Sequence, residues 1–183
     1  ARTQVNQDMK PMFQDEYAIG YQAAINSKWS YAVRGIYRNL GSAMDDIIVN
    51  DGLASYAARN NLTYVDPGFV YYILTNPGEP ISMLFDLDGD GTLEQVNMTA
   101  QDTGFPAVVR KYYAVEFSAE RAFRDNWFFQ GSYTWAHSYG NTEGYVNSDI
   151  DQGDSGITAN FDKPSLATNT YGNLPNDRRH TIK

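Results

Sequence analysis

Cysteine is absent from the chain, which excludes disulfides and thiolate metal centres. No stretch approaches the roughly 20 consecutive apolar residues that a membrane helix requires, so any passage through a bilayer must use strands. Basic residues are few: 14 Lys and Arg stand against 22 Asp and Glu. Histidine occurs only at His137 and His180, and neither has partners at metal-ligand or catalytic spacing; His137 reads as an interfacial histidine near an outer rim. Ala1 to Lys10 carries no signal-peptide pattern, and Arg178 to Lys183 reads as the start of a strand. The chain is therefore read as an internal segment of a longer protein.

Aromatic residues are what the chain has in excess: 14 Tyr, 9 Phe and 3 Trp, in a sequence whose mean hydropathy is nonetheless negative. Period-two alternation explains how both hold. In 13–26, Phe13, Tyr17, Ile19, Tyr21, Ala23 and Ile25 fall on one face, with Gln14, Glu16, Ala18, Gly20 and Gln22 on the other. The pattern repeats in 29–40, where Trp29, Tyr31, Val33 and Tyr37 oppose Ser30, Ala32, Arg34 and Arg38. It recurs in 110–124 and 127–140, the latter opening on Trp127 and closing on Trp135 and Tyr139. Asn26-Ser27-Lys28 and Asp125-Asn126 are of hairpin-turn composition.

One face of each strand is thus aromatic, while the other mixes small residues with Glu16, Arg34, Arg38, Glu116 and Glu120. A lipid-facing wall around a polar lumen has this signature. A soluble sandwich with an aromatic core and a wet outer face has the same alternation. Strand length favours the membrane, since roughly 10 tilted residues already cross a ~25 Å apolar band. Trp29, Tyr37, Trp127, Trp135 and Tyr139 lie near strand ends, as two interfacial girdles would. Connections alternate short and long, the rhythm of inner turns and outer loops.

The expected fold is all-β: a partial antiparallel transmembrane barrel with strands at about 13–26, 29–40, 110–124, 127–140 and 178–183 and extracellular loops at about 41–109 and 141–176. Only an even residue sum keeps the aromatic faces together, which sets Ile25 opposite Trp29, Glu16 opposite Arg38 and Tyr17 opposite Tyr37. Loop 41–109 holds ten acids against Arg59, and 141–176 five against Lys163, whereas the rest of the chain is net positive. Acidic loops disfavour nucleic acid. Within 41–109, Asp51 to Asn60 is expected to form a short helix, and 69–75 with 81–85 a small hairpin, while 141–176 is expected to be irregular.

KPMFQDEYAIGYQ (10–22), WSYAVRGIYRNL followed by DD (29–46), YAVEFSAERAFRDNWFFQGSYTWAHSYGNTEGYVNSD (113–149) and LPNDRRH (174–180) resemble the barrel of TonB-dependent outer-membrane receptors, in particular the Oar-like group. The resemblance covers about half the chain, mainly its strands. It implies a barrel of about 22 strands with a plugged lumen, an N-terminal plug domain not present here, coupling to the TonB system, contact with outer-membrane lipid and lipopolysaccharide, and loops that capture an unknown ligand outside a Gram-negative cell. An adhesion or structural barrel remains the alternative, with the soluble sandwich behind it.

Asp86-Leu87-Asp88-Gly89-Asp90-Gly91 places carboxylates at the first, third and fifth positions and Gly at the sixth, as a calcium loop does, with Thr92 and Glu94 completing the set. The twelfth position is Asn97, so the loop is no EF-hand. It reads either as a weak Ca2+ site or as a bare hairpin turn. Glu116 and Glu120 share a face but read as lumen wall, not a glycosidase pair, and Ser118, Ser132 and Ser138 have no neighbouring base. No enzyme is expected.

Overall fold

The computed structural model describes residues 4–144, 151 and 158–183. Along the chain run β1 (Gln4–Val5), β2 (Phe13–Ala24), β3 (Trp29–Ser42), β4 (Asp45–Ile48), α1 (Asn50–Asn60), β5 (Tyr72–Thr75), β6 (Ile81–Phe85), β7 (Glu94–Met98) and α2 (Ala100–Thr103). There follow β8 (Arg110–Arg124), β9 (Trp127–Gly140), α3 (Pro164–Ala167), β10 (Gly172–Asn173) and β11 (His180–Ile182). The molecule is all-β in character: long antiparallel strands dominate, and none of its described helices is long and apolar enough to cross a membrane.

The large sheet has the order β2-β3-β8-β9, and β9 also pairs with β10 and β11. Its register is the one the alternation demands: Glu16 faces Arg38, Tyr17 faces Tyr37, and the Ile25 amide donates to the Trp29 carbonyl at 2.8 Å. A slip of one residue would turn every ring to the other face. The turns have local causes. Asn26 Oδ1 accepts from the amides of Lys28 and Trp29, while Asp125 and Asn126 adopt φ of 55° and 67°, the left-handed pair that a two-residue hairpin requires.

Above one end of this sheet, segment 41–109 folds around a core of its own. Ile47, Leu53, Ile73, Ile81, Met83 and Val96 are essentially buried. Phe161 and Ala167, from beyond residue 141, enter the same core, so the two long connections form one unit. The helix expected at Asp51 to Asn60 is present from Asn50 and is closed by Asn61 in the left-handed conformation. Arg59 grips Asp102 with two bonds of 3.0 and 2.7 Å, tying α1 to α2.

Two expectations for the loops are corrected. The 69–75/81–85 hairpin does not form: β5 lies between β4 and β1, and β6 pairs with β7 instead. Asn76 is the reason, because its side chain bonds Lys10, Ser42 and Ala43 and so pins the intervening turn to the start of the chain and the end of β3. The second connection, expected to be irregular, contains a 3-10 turn at Ala159–Phe161, α3 and β10. Its stretches 145–150 and 152–157 lie outside the described residues.

Asp45 joins the two connections, accepting from the Thr158 amide at 2.8 Å and hydroxyl at 2.6 Å. Burial pushes its carboxyl up to about 6, against the pull of both Thr158 bonds. A raised acid binds its proton more tightly when folded, so its contribution is complete below the unfolded value of 3.8 and is lost as pH rises through about 6. Burial, first, and then Asp162 also raise Asp46. Asp102 acts in the opposite sense: the Arg59 bonds hold it at about 2, and that support is lost only below the ordinary carboxylate range. Proteolysis of the intact protein is therefore expected to cut this unit faster at pH 7.5 than at pH 4.5. The Asp45→Asn variant should show a clearly flatter dependence, and a parallel profile would mean that Asp45 does not report on the fold.

Candidate functional site

Three side-chain sets were expected to matter, and all lie among the described residues. The five polar-face residues sit on one side of the sheet. Arg38 donates through Nε to Glu16 at 2.6 Å, and Arg34 lies 3.9 Å from both Glu16 and Glu116, forming a ladder across β2, β3 and β8. Such exposed pairs contribute little stability individually. Glu120 stands apart, exposed and opposite Ser30 and Gln130. Between these charges Ile36, Ala114 and Ala136 pack into a small sheltered cluster against Tyr112.

On the other side the rings are open to the surroundings. Ile19 is 81% exposed, Tyr17 and Tyr21 each 65% and Phe129 44%. The described chain lays no second layer on this face, as a sandwich core would need. The five end-of-strand aromatics group by end. Trp29 meets Trp127 at 6.2 Å beside the tight turns; Trp135 and Tyr139 gather around Tyr113 at 5.6 and 6.1 Å near the loop unit, and Tyr37 stacks on Tyr17 at 6.4 Å.

Sequence reading passed over Arg121, whose alternation places it on the aromatic face. It is 4% exposed because it serves the turn: Nη1 donates to the carbonyls of Arg124 and Trp127 at 2.7 Å, Nη2 to Asp125 at 2.8 Å, and its plane lies 3.7 Å from the Trp127 ring. Lys28 reaches the same Asp125, which links the two turns. A cation four residues before an Asp-Asn turn followed by Trp was the available signal. His137 is also better partnered than its sequence context suggests: Asp177 lies 3.3 Å from Nδ1, and Arg179 bonds that carboxylate at 2.6 Å.

The Asp-rich segment forms the turn between β6 and β7. Carboxylate oxygens of Asp86, Asp88 and Asp90 lie within 4.8 Å of one another. Asp86 accepts from the amides of Gly89 and Gly91, and Asp90 from that of Thr92, so the backbone already folds the three carboxylates together. Glu94 does not join them but accepts from the Leu87 amide at 3.1 Å. Gly89 and Gly91 take φ of 79° and 91°, which a side chain would strain.

Together these features define an all-β protein with one aromatic and one polar sheet face and a separately cored loop unit at one end. Over 181 residues the chain is 28% identical to the TonB-dependent transporter Oar of Myxococcus xanthus. The match takes in 99% of this chain but 14% of that protein, so the chain spans about one seventh of the relative's length. No protein-family model matches it, and no solved structure does.

Proposed function

We propose that the chain is a stretch of barrel wall from an outer-membrane TonB-dependent receptor, with extracellular loops that capture a ligand and a plugged lumen that passes it inward under TonB-supplied energy. The observation that carries this reading is the sheet's division into an exposed aromatic face and a charged opposite face over strands of 12 to 15 residues. Similarity to a TonB-dependent transporter supports it. Lipid and lipopolysaccharide would meet the rings, and Trp29, Tyr37, Trp127, Trp135 and Tyr139 would stand at the two interfaces. No residue takes a catalytic role in this reading. The complete protein, tagged in the 41–109 unit, is expected in the outer-membrane fraction, to require detergent for release, and to be labelled on intact cells. Recovery in the soluble fraction would sink the proposal. Growth or uptake that does not depend on TonB would favour an adhesion barrel.

The Asp86, Asp88 and Asp90 carboxylates, with the Thr92 carbonyl, form on this reading a weak calcium site on the outer side, where a divalent cation would relieve their mutual repulsion. Glu94 lies outside this three-carboxylate group, its Oε2 accepting from the Leu87 amide. Affinity is expected near 10⁻⁴ to 10⁻³ M, roughly the extracellular-module range. Calorimetric titration of the complete receptor should show calcium heat that disappears in an Asp88→Ala/Asp90→Ala variant; equal heats would make the segment a turn and nothing more.

A further inference from the structure

Two adjoining clefts, of about 500 and 330 Å3, open on the polar face of the sheet and share Tyr112 and Asn176 as common walls. Arg34, Arg178 and Lys183 line the larger, Arg38 and Arg110 the smaller, and Glu116 is the one carboxylate among the lining residues. Glu16 adds a second negative charge beside Arg34 and Arg38. Five cations therefore face two carboxylates, in a chain whose overall charge is −8. Arg34 and Arg38 stand on β3, Arg110 on β8, and Arg178 and Lys183 flank β11, while most of the acids collect in the long connections.

Arg110 is the most exacting member. It is partly buried, and its guanidinium donates to the Glu143 carbonyl and, at 3.0 Å, to Gln14 Oε1. Both acceptors are neutral, so its charge is solvated but not balanced by them. Arg38, which faces the same cleft, bonds Glu16 through Nε and lies 5.1 Å over the Tyr112 ring. Two planar guanidinium groups line this one small cleft and repel each other, Arg110 half-buried and Arg38 open to solvent. An oxyanion placed between them would accept from both and remove the repulsion, with charge-assisted bonds stronger than those to neutral oxygens.

We propose that this cationic track binds the carboxylate or phosphate groups of a small polyanionic solute, with Arg38 and Arg110 forming its upper station and Arg34, Arg178 and Lys183 its lower one. The site itself stands on the geometry; its place on a transport route rests on the receptor reading above. The test is calorimetric titration of the complete protein in detergent micelles with citrate and, separately, with inorganic phosphate. Saturable binding is expected for at least one of them, weakening at high salt. Arg110→Gln should weaken it about tenfold and Arg110→Gln/Arg178→Gln further, while Arg110→Lys, which keeps the charge but loses the fork, should fall between. Binding of citrate alone would identify carboxylates as the recognised group, and binding of phosphate alone would identify phosphates. Equal binding by the parent and the double variant, both melting at the same temperature, would overturn the proposal, as would no binding of either anion to the parent. If Arg110→Gln fails to fold, Arg110→Lys against Arg178→Gln supplies the same comparison. A protein that binds citrate but fractionates as soluble would refute the receptor reading and leave the site standing.

Discussion

On the proposed receptor reading, Ile19→Arg is expected to destabilise the protein in lipid by about 2–4 kcal/mol, the cost of placing arginine on the lipid face near the midplane of a barrel. Ile19 lies midway along β2, opposite Gly35, and is 81% exposed. In water the same substitution would remove an exposed apolar side chain and add a solvated charge, at a cost near zero. The two settings thus differ in magnitude by several kcal/mol, which makes this one residue a sharp probe of what surrounds the sheet. Denaturant titration of protein folded into lipid vesicles measures it, with Gln22→Arg on the opposite face of the same strand as a control expected to be nearly neutral. Equal, small effects at both positions would remove the lipid-facing assignment.

Phe161→Ala is expected to cost about 3–5 kcal/mol, a large core truncation with its residual cavity. The ring is 1% exposed and packs in the core built mainly from 41–109, although it arrives from the other long connection. Its loss should loosen the 158–174 segment from the unit, because Phe161 is the largest side chain that the segment buries there, beside Ala167, the Asp45–Thr158 bonds and the Ile48 amide to the Asp162 carbonyl at 3.2 Å. Limited proteolysis of the intact protein should then cut near residue 160 while leaving the β8–β9 hairpin protected. Unchanged resistance would mean that the two connections fold independently.

Much of the sheet could be read from the residues because its information is local. Alternation assigns every side chain to a face, a two- or three-residue turn brings neighbouring strands together, and the register then has little freedom. The Glu16–Arg38 and Tyr17–Tyr37 pairs follow from that alone. Boundaries were looser: β3 continues through Ser42, past the expected end at Leu40, because Phe13 still pairs with it beyond an irregularity between Phe13 and Gln14. The calcium-like spacing of Asp86, Asp88 and Asp90 was equally legible, since the Asp side chains and glycines fold that turn by themselves.

The loop unit resisted for the opposite reason. Tyr72–Thr75 has the composition to pair with any of several strands, and its partners β1 and β4 are decided by side chains distant in sequence. Asn6 bonds the Thr75 hydroxyl and the Pro80 carbonyl across some seventy residues, and Asn76 gathers two further segments, at Lys10 and at Ser42–Ala43. The cation surplus of the strands was visible as a charge count, but not that Arg34, Arg38, Arg110, Arg178 and Lys183 converge on two clefts. By itself the sequence determined the strand faces, the tight turns and the separation of acidic long connections from net-basic strand segments, because period and composition act over a few residues. Only the tertiary structure decided that two acidic connections share one core, that Arg121 clamps a turn from the aromatic side, and that five cations line two adjoining clefts, because contacts made across tens of residues leave no local period to read.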